Sequence, residues 1–291
     1  MDTDEQLAAA REMLAPCRVC PRRCGVDRLA GDGGFCRTGP RPRVASAGAH
    51  FGEEGVLVGA GGSGTIFFQC CNLDCVFCQN YDISHFPGGT EVSAEELAGL
   101  MTALARRGCS NINLVSPTHV APQVLEAVVA ARSKGLRLPV VYNCGGYEAV
   151  DMLALLDGHI DVYMPDFKYA SAEAGRKYSG VPDYPAVAEA ALAEMYRQVG
   201  PLELDDRGLA VRGVMVRHLV MPMDLAGGRE VIDIVARVAP GAGMNVMGQY
   251  RPCYRADEFP ELLRLPDPAE IARLRRWAAE CGLRRLDRPG P

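Results

Sequence analysis

No run of about 18 apolar residues occurs in this chain, so nothing in it reads as a membrane-spanning helix. The opening residues, MDTDEQLAAAREML, lack the basic stretch and apolar core of an export signal. They read as an acidic helix, and a cytoplasmic location is expected. A basic excess is also missing. The net charge of -5 argues against a general nucleic-acid binder. Residues 17–43 are a local exception, with seven Arg against two Asp. Long disordered tracts are absent, because Gly and Pro are spread along the chain. Cysteine, by contrast, is plentiful, with twelve residues. Without an export signal, clustered thiols point to metal binding or redox chemistry rather than to disulfides.

The chain divides into a Cys-rich N-terminal segment (1–48), a β/α core (60–255) and a C-terminal helical extension (256–291). From residue 63 onward, short apolar strands alternate with helices. The expected strands are SGTIFF, NINLVSP, PVVYNCGG, DVYMPDFKY, GLAVRGVMVRHLVMP and MNVMGQY. The helix after the first strand carries Ser93 and Glu96 at capping-box spacing, with Leu97, Leu100, Met101 and Leu104 as its apolar stripe. The last helix has Asp267 as N-cap and Pro268 at its first position. Such alternation implies parallel βαβ units and an α/β fold. A partial (β/α)6 barrel fits best, and a doubly wound sheet is the competitor. Polar residues fall at the C-terminal end of every strand, where α/β proteins place their sites.

After the first strand comes QCCNLDCVFCQN, with Cys70, Cys71, Cys75 and Cys78. Zinc sites usually join two distant C-x2-C pairs. Here three thiols, Cys71, Cys75 and Cys78, crowd one loop. A [4Fe-4S] cluster normally takes four cysteines, so three would leave one iron open for a further ligand. Cys70 sits one residue early, and strand alternation would turn it away as a small buried hydrophobe.

The spacing resembles the C-x3-C-x-aromatic-C signature of the radical S-adenosylmethionine (radical SAM) superfamily, with Phe77 at the aromatic position. Within it, the chain resembles proteins related to pyruvate formate-lyase activase. DVYMPDFK is similar to a fourth-strand D-x-x-x-x-D-x-K pattern, and YNCGGY to a D-T-N-G-like turn. The resemblance implies a [4Fe-4S] cluster on Cys71, Cys75 and Cys78 with S-adenosylmethionine on the open iron. Reductive cleavage would give a 5′-deoxyadenosyl radical that takes a hydrogen atom from substrate. It further implies that Lys168 meets the methionine carboxylate and that Asp166 fixes Lys168 or binds a hydroxyl. Asn143 would meet the ribose. Ser116 and Thr118 stand where many members carry a Gly-Gly-Glu turn for the amino group. His218 is a candidate ligand or substrate contact, and Gln249, Tyr250 and Arg251 would face the entrance.

Four more cysteines, Cys17, Cys20, Cys24 and Cys36, form a second constellation, suited to a structural zinc or a second [4Fe-4S] cluster. Expected partners are a reductant such as flavodoxin or ferredoxin, and either a glycyl-radical enzyme or a small-molecule substrate. The competing readings are a non-catalytic electron-transfer module and a zinc-fronted barrel that binds nucleic acid.

Overall fold

A computed structural model of the chain describes residues 1–286. The last five residues of the expected C-terminal extension lie outside the described residues. The strands in chain order are β1 (Arg43–His50), β2 (Ser63–Phe68), β3 (Thr90–Glu91), β4 (Ile112–Val115), β5 (Val140–Cys144), β6 (Val162–Pro165), β7 (Glu203–Leu204), β8 (Ala210–Leu219), β9 (Gly243–Met247) and β10 (Arg284–Arg285). They form one sheet in the order β10-β9-β8-β6-β5-β4-β2-β1-β3, with β7 beside β8.

The six strands expected from the sequence are the parallel run β2, β4, β5, β6, β8 and β9. Each lies beside the next in chain order. A doubly wound sheet reverses direction at a switch point, and this one does not. The architecture is therefore a partial barrel. β1 and β3 are antiparallel additions at one edge that the sequence reading missed. β1 runs through the expected boundary at residue 48, so the Cys-rich segment shares the sheet rather than standing apart. Two-residue strands such as β3, β7 and β10 carry no readable period. The helix Ala172–Ser179 was also missed, because its eight residues hold only a short pattern.

Helices cover the outer face of the sheet. Ala94–Arg106 starts with both capping-box bonds in place, Glu96 N–H to Ser93 Oγ at 3.1 Å and Ser93 N–H to Glu96 Oε2 at 2.7 Å. Leu97, Met101 and Leu104 are buried on its inner face. Strand alternation sends Tyr142, Tyr163, Val214 and Val216 outward into this layer, where all are fully buried.

The other strand face looks into the barrel. Val141, Val162, Met164 and Met215 pack there around Leu57, which comes from the short helix Gly55–Val58 between β1 and β2. This connection plugs the lower interior. Asn245 on β9 donates to Glu54 Oε1 at 3.0 Å, linking β9 to the β1–β2 connection across the side where β9 and β2 do not pair. With the floor filled by apolar side chains, the open volume is confined to the C-terminal ends of the strands.

Candidate functional site

Those strand ends surround a cavity of about 260 Å³. The loop after β2 lies across it, so Cys71, Cys75 and Cys78 all line one wall. Main-chain bonds hold this loop in place. Val76 N–H donates to Tyr178 O at 2.9 Å, and Arg255 N–H to Val76 O at 2.9 Å. Tyr178 and Ser179 belong to the helix the sequence reading missed. Ser179 Oγ also donates to Cys75 Sγ at 3.0 Å. Phe77 is buried, with its ring edge-on to Tyr169 and tilted against Tyr250.

Opposite the thiols stands a charged network. Asp166 takes Lys168 Nζ on one oxygen at 2.7 Å and Arg217 Nε on the other at 2.9 Å. Arg217 also donates to Asn143 Oδ1 at 2.7 Å. β5, β6 and β8 thus each deliver one part of the network. Burial alone would raise the Asp166 carboxyl, but Arg217 and Lys168 outweigh it and hold it below its ordinary range. Burial would likewise lower the Lys168 ammonium, but Asp166 and Cys75 hold it above its usual value. The thiols shift upward, because for them burial outweighs the nearby charges. Burial, then the neighbouring Cys75, pushes Cys71 up to about 12, and the same causes take Cys78 to about 11.

Three soft sulfur donors around one cavity fit a thiolate-bound cluster. Burial favours the neutral thiols, so a cluster bound here would have to supply the positive charge that stabilises their thiolates. Among the described residues, no three Cys, His, Asp or Glu side chains are grouped to hold a single metal ion. In a cubane each thiolate binds its own iron, so the thiols need only surround the cluster.

The expected site residues divide clearly. Ser116, Thr118, Asn143, Asp166 and Lys168 line the cavity with Phe77 and Gln249. Ser116 has a left-handed backbone, φ 58°, which is unusual for a residue with a side chain. His218 does not line the cavity. It faces outward, fully buried, with Nδ1 against Phe167 O at 2.8 Å. Its neighbour Arg217 takes the inward place, because successive strand residues face opposite ways. Tyr250 is buried with its hydroxyl on Leu262 O, and Arg251 is exposed away from the lining. Cys70 is turned away as expected, but for another reason: it lies past the end of β2 with φ 73°.

Two residues the sequence reading passed over support the site from behind. Tyr184 Oη accepts from Lys168 N–H at 2.9 Å and lies 2.9 Å from both Gly145 O and Asp166 O. Glu148, buried, accepts from the Thr118 hydroxyl at 2.6 Å and the Tyr142 hydroxyl at 3.1 Å. Because Thr118 gives its proton to Glu148, its lone pairs remain for the cavity side. Neither residue sits on an inward strand position, so no periodic pattern marks it.

Burial pushes the Glu148 carboxyl up to about 7. The folded protein therefore holds this proton more tightly than the unfolded chain. Its stabilising effect is complete below the ordinary value of about 4.5 and is lost as pH rises through about 7. Glu148→Gln should remove this slope. Thermal denaturation from pH 5 to 8 should show the wild type losing about 3 kcal/mol more than the variant. Parallel curves would mean that Glu148 is solvated.

These features define a class: a parallel β/α partial barrel with three thiols and a polar cradle at its C-terminal mouth. The family model described as the radical SAM superfamily matches residues 65–199. An uncharacterized protein of Methanocaldococcus jannaschii is 32% identical over 290 residues, covering 96% of this chain and 79% of the relative. Among solved structures, HydG, a maturase of the [FeFe]-hydrogenase, superposes with a TM-score of 0.52 at 13% identity, over 75% of this chain and 48% of its own. The chain thus spans about half of that structure. SuiB of Streptococcus suis, bound to S-adenosylmethionine, gives a TM-score of 0.48 at 11% identity over 75% of this chain and 48% of its own. The chain belongs to the radical SAM superfamily. Membership implies a [4Fe-4S] cluster, S-adenosylmethionine and radical chemistry that cleaves it. No helix among the described residues is long and apolar enough to cross a membrane.

Proposed function

We propose that Cys71, Cys75 and Cys78 hold the [4Fe-4S] cluster and that S-adenosylmethionine binds across the same cavity, ready for reductive cleavage and hydrogen abstraction. The observation that carries this is the meeting of all three thiols with the Asn143–Arg217–Asp166–Lys168 network in one cavity. When bound, the cluster and S-adenosylmethionine supply the one-electron cleavage and the hydrogen-abstracting group. The chain's part is to bind, orient and exclude water. Lys168, aimed by Asp166, takes the methionine carboxylate. Asn143, held by Arg217, meets the ribose. Thr118, backed by Glu148, offers lone pairs to the amino group beside Ser116, where no Gly-Gly-Glu turn is present. Phe77 and the filled barrel floor keep water from the reacting centre.

The substrate in this reading is a backbone glycine of a glycyl-radical protein, and the electron donor is of the flavodoxin or ferredoxin type. An aromatic shelf beside the thiol loop favours a macromolecule over a small molecule. Tyr81 and Phe86 are exposed there, and the Tyr81 ring stacks on Tyr254 at 5.6 Å. Exposed aromatic groups of this kind are common where proteins dock.

The test is anaerobic reconstitution with iron and sulfide, reduction, addition of S-adenosylmethionine, and assay of 5′-deoxyadenosine. Wild type should form it, and a Cys71→Ala, Cys75→Ala, Cys78→Ala variant should form none. An iron-loaded wild type that neither forms 5′-deoxyadenosine nor binds S-adenosylmethionine would instead favour an electron-transfer module.

A further inference from the structure

The N-terminal cysteines take no part in the site above, yet they converge on a place of their own. Cys17, Cys20, Cys24 and Cys36 line one small cavity together with Arg22 and Arg28. The backbone that presents them is well determined by hydrogen bonds. Cys17 N–H donates to Val26 O at 2.8 Å, Gly25 N–H to Cys17 O at 3.0 Å, and Arg23 N–H to Cys20 O at 3.0 Å. Gly34 leaves room for a sulfur, since a Cβ there would stand 2.7 Å from Cys24 Sγ.

The charges around this cavity do not balance. Arg28 is 1% exposed, and its guanidinium donates to the carbonyls of Gly39 and His119. Arg22 lies over the Phe35 ring and donates Nε–H to Asn72 O at 2.5 Å, while its Nη2 is buried with no partner. Among the described residues, neither arginine forms an ion pair with a carboxylate. A buried cation such as Arg28 needs an anion, and the unpartnered buried donor of the half-buried Arg22 needs an acceptor. The four thiols are the groups at hand to provide both. As neutral thiols they provide no charge and only weak acceptors, whereas four thiolates around a [4Fe-4S] core carry a net charge of about -2. That matches two arginines, and cluster sulfur accepts hydrogen bonds.

We propose that Cys17, Cys20, Cys24 and Cys36 hold a second [4Fe-4S] cluster, ligated entirely by protein thiolates. Zinc bound by four thiolates would have the same charge, and the metal retained by the folded protein tells the two apart. With four ligands, every iron is occupied, so this centre differs in kind from the open one at Cys71, Cys75 and Cys78. Its outer edge at Cys24 is exposed, and its inner edge reaches Asn72, the residue after Cys71.

The Cys71→Ala, Cys75→Ala, Cys78→Ala variant isolates the second site and tests it independently of the radical chemistry. After anaerobic reconstitution it should keep about four irons and four sulfides per chain, with the Mössbauer signature of a cubane. Adding Cys24→Ser, at the exposed ligand, should lower the iron content or shift the spectrum while circular dichroism stays unchanged. Arg22→Gln, which keeps all four thiols, should shift the midpoint potential of the remaining cluster. A triad variant that keeps no iron when folded would overturn the proposal. So would one that carries about one zinc per chain.

Discussion

Asp166→Asn should destabilise the protein by about 3 kcal/mol in urea denaturation and weaken S-adenosylmethionine binding by about tenfold or more. The substitution keeps the shape and removes the charge. Lys168 and Arg217 then face each other across a cavity wall without the carboxylate that holds them, at 2.7 and 2.9 Å in the wild type. Both cations are mostly buried, with side-chain exposures of 18% and 19%. Removing one member of such a network costs much more than the network adds, because the remaining charges stay desolvated. The pH dependence gives a second readout. The folded-state value of Asp166 lies below its ordinary range, so its contribution is present above about pH 4 and is lost as pH falls further. The variant should lack that acid limb. A loss below about 0.5 kcal/mol, with binding intact, would show the network to be solvated and would remove Lys168 from its assigned role.

Gly146→Ala should have an effect of similar size by a different route. Gly146 has φ 79°, the left-handed region that a side chain disfavours by about 1 kcal/mol. Space is the larger problem. A Cβ would stand 2.1 Å from Asp166 O and 2.8 Å from Tyr184 Oη. One obstacle is backbone, so the ends of β5 and β6 would have to part. The expected loss is about 3 kcal/mol or more, together with weaker S-adenosylmethionine binding, since Tyr184 also receives the Lys168 N–H. Isothermal titration and thermal melting on one sample would check both. If melting is unchanged, the turn can rearrange and the close approach is not needed.

Much of this site can be read from spacing. Cys71, Cys75 and Cys78 lie within eight residues, and a loop that short must gather its thiols wherever the chain goes. The six parallel strands stand out because each is a compact apolar run bounded by turn residues. Asp166 and Lys168 come from the resemblance of DVYMPDFK to a fourth-strand D-x-x-x-x-D-x-K pattern, with Lys168 a cation on an otherwise apolar strand. His218 and Arg217 show where this reasoning stops. Both are polar and adjacent in β8, and composition cannot say which one faces inward. Register decides it: Arg217 pairs with Asn245, on the inward face that carries Met215 and Leu219. Glu148 and Tyr184 were not legible for a related reason. One lies in a turn and the other at a helix start, and each acts through a contact with a distant segment.

The sequence by itself determined the superfamily signature, the six strands of the parallel run and the thiols that belong together, because these rest on local spacing and on apolar period. Only the tertiary structure decided that Arg217 rather than His218 enters the cavity, that Glu148 and Tyr184 brace it, and that the N-terminal thiols gather around two arginines without carboxylate partners. Those facts depend on strand register and on contacts between segments far apart in the chain, and neither leaves a local pattern of its own.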